Sequence, residues 1–284
     1  MNTIKTGLLM GILSVLLVLI GGAVGGQSGA ILFFVISLGM NLFSYYYSDK
    51  MVIKMTGSQP VTEAQAPELY AIIKKLSERA EIPMPRLYVT PSPQPNAFAT
   101  GRNPAHAVVA VTEGLLKLLN RDEIEGVLAH EMAHIKNRDI LIGTIAASFA
   151  GAISMIANIA QWGAIFGGFG GNSDDEEGGG IWGSLVLAIV APIAALIIQM
   201  AISRSREYLA DKTGAHLAGK SRGLSDALLK LEQSSNRIPM QVNPAASHMF
   251  IVNPLSGRSL VNMFSTHPPI SERVAILNQM KINS

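Results

Sequence analysis

Cysteine is absent from the 284 residues, which excludes disulfides, thiolate zinc ligands, iron–sulfur clusters and cysteine nucleophiles. Any metal must be held by His, Asp or Glu. Charge is scarce too: Asp, Glu, Lys and Arg make up 15% of the chain, where a soluble domain carries about 25%. The 22 basic and 20 acidic side chains leave a net charge of +2, so no nucleic-acid partner is expected.

What fills the gap is apolar sequence. No charge interrupts residues 6–48, enough for two helices of about 20 residues across a hydrocarbon core of roughly 30 Å. Gly21, Gly22, Gly25 and Gly26 divide the run, and Tyr45, Tyr46 and Tyr47 close it with side chains suited to a membrane interface. A cleaved signal peptide is disfavoured, because no Ala-x-Ala-like site precedes a polar start. Two more uncharged runs, 140–173 and 178–203, flank the acidic patch 174–177. They read as a second hairpin, although the first of them is rich in Ala, Ser and Gly. The expected organisation is a transmembrane hairpin over 1–48, a first catalytic segment over 49–139, a second hydrophobic hairpin over 140–202 and a second catalytic segment over 203–284.

Lys5, Lys50, Lys54, Lys136, Arg138, Arg204 and Arg206 all fall on one side of this four-span scheme, and the two opposite loops carry no Lys or Arg. The positive-inside rule makes the basic side cytoplasmic. A transporter is disfavoured, since the four runs contain no ionisable residue.

Within the polar segments, Thr62 and Gln65 suggest a capping box for a helix over 62–80, with Leu69, Ile72, Ile73 and Leu76 on its buried face and Pro67 able to delay its start. Residues 86–90 and 107–112 read as strands, and 91–104, with its four prolines, as an irregular loop. Further helices are expected over 120–137, 203–217 and 221–233, and from Pro269 onward with Val274 and Leu277 inward.

The most informative residues are His130-Glu131-Met132-Ala133-His134. Residues four apart on a helix share a face, so both imidazoles reach one ion while Glu131 projects beside them as a base. In a chain of this composition the pattern arises by chance roughly 0.006 times. Two histidines leave a third ligand to find, because a catalytic zinc takes three from the protein and keeps one position open. Glu207 is the best candidate, and Asp211, one turn on, could accept the free N–H of a ligating imidazole. A salt bridge to Arg204 or Arg206 would also explain Glu207. His267, before Pro268 and Pro269, competes as third ligand or as a donor to a developing oxyanion.

With these residues assembled, the chain resembles the HtpX family of membrane-integrated zinc metalloproteases, relatives of the CAAX prenyl proteases. The resemblance runs through the amino-terminal hairpin, the 130–134 motif, the second hydrophobic pair, the Glu207–Asp211 motif, the late His-Pro and the segment Pro95-Asn96-Ala97-Phe98-Ala99-Thr100-Gly101. It implies one Zn2+ per chain on His130, His134 and Glu207, Glu131 as base, His267 in transition-state stabilisation and Asn96 near the bound substrate strand. It also implies stress-linked quality control in a bacterial inner membrane, with polypeptide substrates, mainly membrane proteins, and contact with other membrane proteases. The expected fold is an α-helical integral membrane protein with a mainly α, α+β zincin-type (gluzincin-like) catalytic domain facing the cytoplasm. The alternative at this point is a zinc-binding membrane scaffold without turnover.

Overall fold

A computed structural model describes residues 2–143, 145, 204–235, 250–251 and 268–282. Most of the second hydrophobic pair, its acidic loop and His267 lie outside these residues.

Helix α1, Asn2–Thr56, is one helical run in backbone assignment. Yet Asn41 Nδ2 donates to Ser14 Oγ at 2.7 Å, where a straight helix would hold the two roughly 40 Å apart. The chain therefore doubles back within the glycine-rich stretch, where Gly26 has φ +58°, a conformation in which a side chain would be strained. The limbs touch closely there, since a Cβ on Gly29 would land on the Gly21 carbonyl. One stretch, Gly26–Tyr47, is long and apolar enough to cross a membrane, while the apolar part of the other limb, Thr6–Leu19, is shorter.

Beyond α1 come β1 (Gln59–Pro60), α2 (Pro67–Ala80), β2 (Arg86–Thr90), β3 (Ala97–Thr100), β4 (Val108–Thr112), α3 (Glu113–Leu118) and α4 (Arg121–Lys136). The chain resumes in the described residues with α5 (Arg204–Ala218), α6 (Arg222–Ser235) and α7 (Ile270–Gln279). The sheet order is β1-β2-β4-β3, with β2 and β4 parallel and both outer pairings antiparallel.

The expected strands over 86–90 and 107–112 form, and the proline-rich loop differs. Ala97–Thr100 adds to β4 as the edge strand β3, because β4 offers an open row of N–H and C=O groups that the loop alone does not reveal. Gln65 reaches back to the Thr62 N–H as anticipated, but this bond closes a preceding turn. Helix α2 begins at Pro67, whose fixed φ and missing N–H suit a first helical position. Short α3, capped by the Thr112 hydroxyl, escaped the sequence reading.

One hydrophobic core joins α2, the sheet, α4, α5, α6 and α7, with Leu76, Val109, Leu128, Ile135, Leu228 and Leu277 inside. Helix α4 lies at its centre. Asn120 and Glu123 cap its start reciprocally, and three acids of its first turns bind lysines from outside the helix: Glu125 to Lys75, Asp122 to Lys220 and Glu123 to Lys230.

Candidate metal centre

Helices α4 and α5 pack unusually close, because residue 214 is glycine: a Cβ there would stand 2.9 Å from the His130 Cα, inside contact distance. That approach brings Glu207 and Asp211 of α5 against the two histidines of α4. His130 Nε2 lies 3.2 Å from His134 Nε2, His134 Nε2 lies 3.4 Å from one Glu207 oxygen, and His130 Nε2 lies 3.6 Å from the other. Ligand atoms about 2.05 Å from a tetrahedral metal are about 3.3 Å apart, so the three side chains already have the spacing of a metal's ligands. They form the one His/Asp/Glu group with metal-binding geometry among the described residues.

The surroundings hold the donors in place. His130 Nδ1 donates to Asp211 Oδ1 at 2.9 Å, which turns the Nε2 lone pair toward the centre. Asp211 is gripped in turn by Arg273 of α7, through Nε at 2.8 Å and Nη2 at 2.7 Å. Arg273 has 0% exposure, and its Nη1 lies 3.6 Å from Glu207. On the other side Asp139, just past the end of α4, faces His134 Nδ1 at 3.4 Å. Glu131 is buried beside its neighbours at 3% exposure.

Electrostatics follow this arrangement. Burial holds the His130 imidazole below the ordinary histidine value despite its Asp211 bond. For His134, burial is outweighed by the Asp139 hydrogen bond and the Glu207 and Glu131 charges, which raise it to about 9. Burial opposes ionisation of Asp211, but the Arg273 charge and the bonds from Arg273 and His130 bring it down to about 2. At neutral pH a proton on His134 thus supplies positive charge where three carboxylates converge, and a divalent cation would replace that proton. The residues fit a metal ion.

Of the residues singled out in the sequence, the structure brings together His130, Glu131, His134, Glu207 and Asp211. Asn96 immediately precedes β3, fully buried, with its N–H on the Thr112 hydroxyl; β3 itself packs on α4. Asp139 and Arg273 were missed. For Arg273 a signal existed: it shares the inward face of α7 with Val274 and Leu277, and a charged residue there requires a buried partner.

A His-Glu-x-x-His helix clamped to a carboxylate-bearing helix beside a small mixed sheet defines a metallopeptidase. The chain belongs to peptidase family M48, which matches residues 63–281, and it is a metalloprotease acting on polypeptides. A protein described as Protease HtpX homolog from Pelotomaculum thermopropionicum is 71% identical over 282 residues, covering 99% of this chain and 100% of that one. One of the same description from Thermococcus kodakarensis is 55% identical over 278 residues, covering 98% and 95%. In fold, the chain is similar to the crystal structure of S. mikatae Ste24p, with a TM-score of 0.53 and 21% identity; the match covers 98% of this chain and 65% of that one.

Proposed function

We propose that the chain is a zinc endopeptidase of a bacterial inner membrane that cleaves misfolded or damaged membrane proteins on the cytoplasmic side. The observation that carries the proposal is the set of three donor side chains, the two imidazole nitrogens 3.2 Å apart and each 3.4–3.6 Å from one oxygen of Glu207, with Glu131 next to His130 on the same helix. His130, His134 and Glu207 would hold the ion, and the absence of cysteine with a two-imidazole, one-carboxylate set suits zinc at an open catalytic site.

Zinc, when bound, supplies a Lewis acid that acidifies water and polarises a carbonyl. Glu131 accepts the proton of the attacking water and delivers it to the departing amine, so no acyl-enzyme forms. Asp211 keeps His130 in the tautomer with Nε2 free, and Asp139 does the same for His134. His267 is proposed to stabilise the developing oxyanion. Asn96 is proposed to act by holding the edge strand β3, beside which an extended substrate can pair. Membrane placement is supported by the Gly26–Tyr47 stretch, by the apolar side chains that α1 leaves uncovered and by the one-sided Lys and Arg.

The test is cleavage of an unfolded protein by detergent-purified, zinc-loaded chain beside Glu131→Gln at matched metal content. Loss of cleavage with zinc retained is expected, by a factor of about 10²–10⁴ for a lost general base. Equal cleavage by both would refute the assignment of Glu131.

A further inference from the structure

Where α1 meets the catalytic body there is a cavity of about 570 Å3 that peptide hydrolysis does not use. Tyr46 and Tyr47, 51% and 46% exposed, form one wall at the end of the apolar stretch. Lys50 Nζ lies 5.0 Å from the Tyr47 ring centroid and the Arg102 guanidinium 5.2 Å from that of Tyr46. Arg86 lines the cavity too, paired with Asp49 at 2.6 Å. A second cavity of about 280 Å3 shares Asp49, Lys50 and Arg86 and adds Lys54. The collar around the end of α1 therefore sets four cations against one carboxylate, and Arg86 already engages that carboxylate.

Basic residues at the ends of spans commonly serve only to orient them. Here two of the cations rest on tyrosine faces instead of on acids, with Arg102 Nη2 also 2.6 Å from His106 Nε2, and they line a concave site. On the same helix the apolar side chains Val35, Leu38 and Leu42, at helical spacing from Tyr46, are 60%, 46% and 62% exposed. A phosphate at membrane-surface depth would find ammonium and guanidinium donors there, with an apolar track for acyl chains beside them.

We propose that this cavity binds the phosphate of an anionic phospholipid from the leaflet facing the catalytic domain, with Lys50 and Arg102 on the phosphate oxygens. The site ties the membrane helix to the Arg102 turn after β3, so a bound lipid would brace the edge strand at the membrane surface. The proposal rests on the reading of α1 as membrane-embedded.

The test is native mass spectrometry of the detergent-purified full chain incubated with phosphatidylglycerol or phosphatidylcholine. The wild-type chain is expected to retain phosphatidylglycerol preferentially. Lys50→Gln with Arg102→Gln should cut that preference about 30-fold, at roughly a factor of five for each cation near anionic lipid. Lys50→Arg with Arg102→Lys should preserve it, which separates a charge effect from misfolding. Equal retention of both lipids, an unchanged preference in the Gln variant, or displacement of the lipid by millimolar inorganic phosphate would each overturn the lipid assignment. Alkaline carbonate extraction is run in parallel: release of the wild-type chain from membranes would overturn the membrane reading itself, independently of phosphate preference.

Discussion

Arg273 carries its charge with no exposed surface, and a lone buried cation would be prohibitive. Its two bonds to Asp211 resolve that, and Asp211 in turn binds His130, so a residue in the last helix reaches the proposed metal ligands through one carboxylate. Removing one member of such a pair leaves the other buried and uncompensated, at a cost of about 3–5 kcal/mol. Arg273→Met is therefore expected to lower the melting temperature of the ion-free protein, measured in detergent. Asp211→Asn should also destabilise, since it leaves the buried Arg273 charge unneutralised, and in addition it weakens the acceptor for the His130 N–H. Metal affinity should fall about 10–100-fold, as for other second partners of ligating histidines, and zinc titration against a competing chelator would show it. An affinity equal to wild type would show that Asp211 does not orient the ligand.

Helix α4 holds both histidines by its own 3.6-residue period, but the third donor depends on how near α5 can come. Gly214 sets that distance, since its missing Cβ is filled by the His130 and Ala129 backbone. Gly214→Ala forces two backbones apart, which neither can absorb by rotating a side chain. Zinc occupancy should drop and cleavage with it, while circular dichroism keeps its helical signal. Ala215→Gly, one residue along the same helix, is the control for lost helix stability: it should cost about 1 kcal/mol in propensity plus the loss of a buried methyl, and retain the metal. Just past the end of α5, Gly219 has φ +76° and stops the helix, which lets the chain turn into α6 and pack α6 on α4.

At the scale of the molecule, the donors come from segments separated by residues 137–203, so an ion at the centre would cross-link two distant stretches of chain. Chelation should lower the melting temperature, and at zinc a thousandfold above its dissociation constant the stabilisation should be about 4 kcal/mol. The absence of cysteine makes the topology directly testable with single introduced thiols. Gln27→Cys sits at the fold-back of α1, and Lys117→Cys sits on the catalytic body at an exposed position. In spheroplasts, a membrane-impermeant maleimide is expected to label residue 27 freely and residue 117 only after permeabilisation. The opposite pattern would invert the proposed orientation.

His130, Glu131 and His134 were legible in the sequence because their relation is a helix period, a local property that needs no neighbours. The buried faces of α2 and α7 were legible for the same reason, and the hairpin in α1 was foreshadowed by glycines that tolerate a reversed φ. Glu207 and Asp211 were recognisable as a pair one turn apart, but Glu207 had rival partners in Arg204 and Arg206; the packing of α5 on α4 is what brings both against the histidines. Strand β3 was hidden because four residues among prolines become a strand only when β4 offers them hydrogen bonds. Asp139 was hidden because the turn that ends α4, with Arg138 at φ +57°, is what brings it back to His134, and the role of Arg273 depends on the last helix arriving beside the centre. The sequence by itself determined the ligand chemistry and the helix that displays it. Tertiary structure decided the third donor and the partners that orient the imidazoles, because those distances are set by how closely separate helices pack.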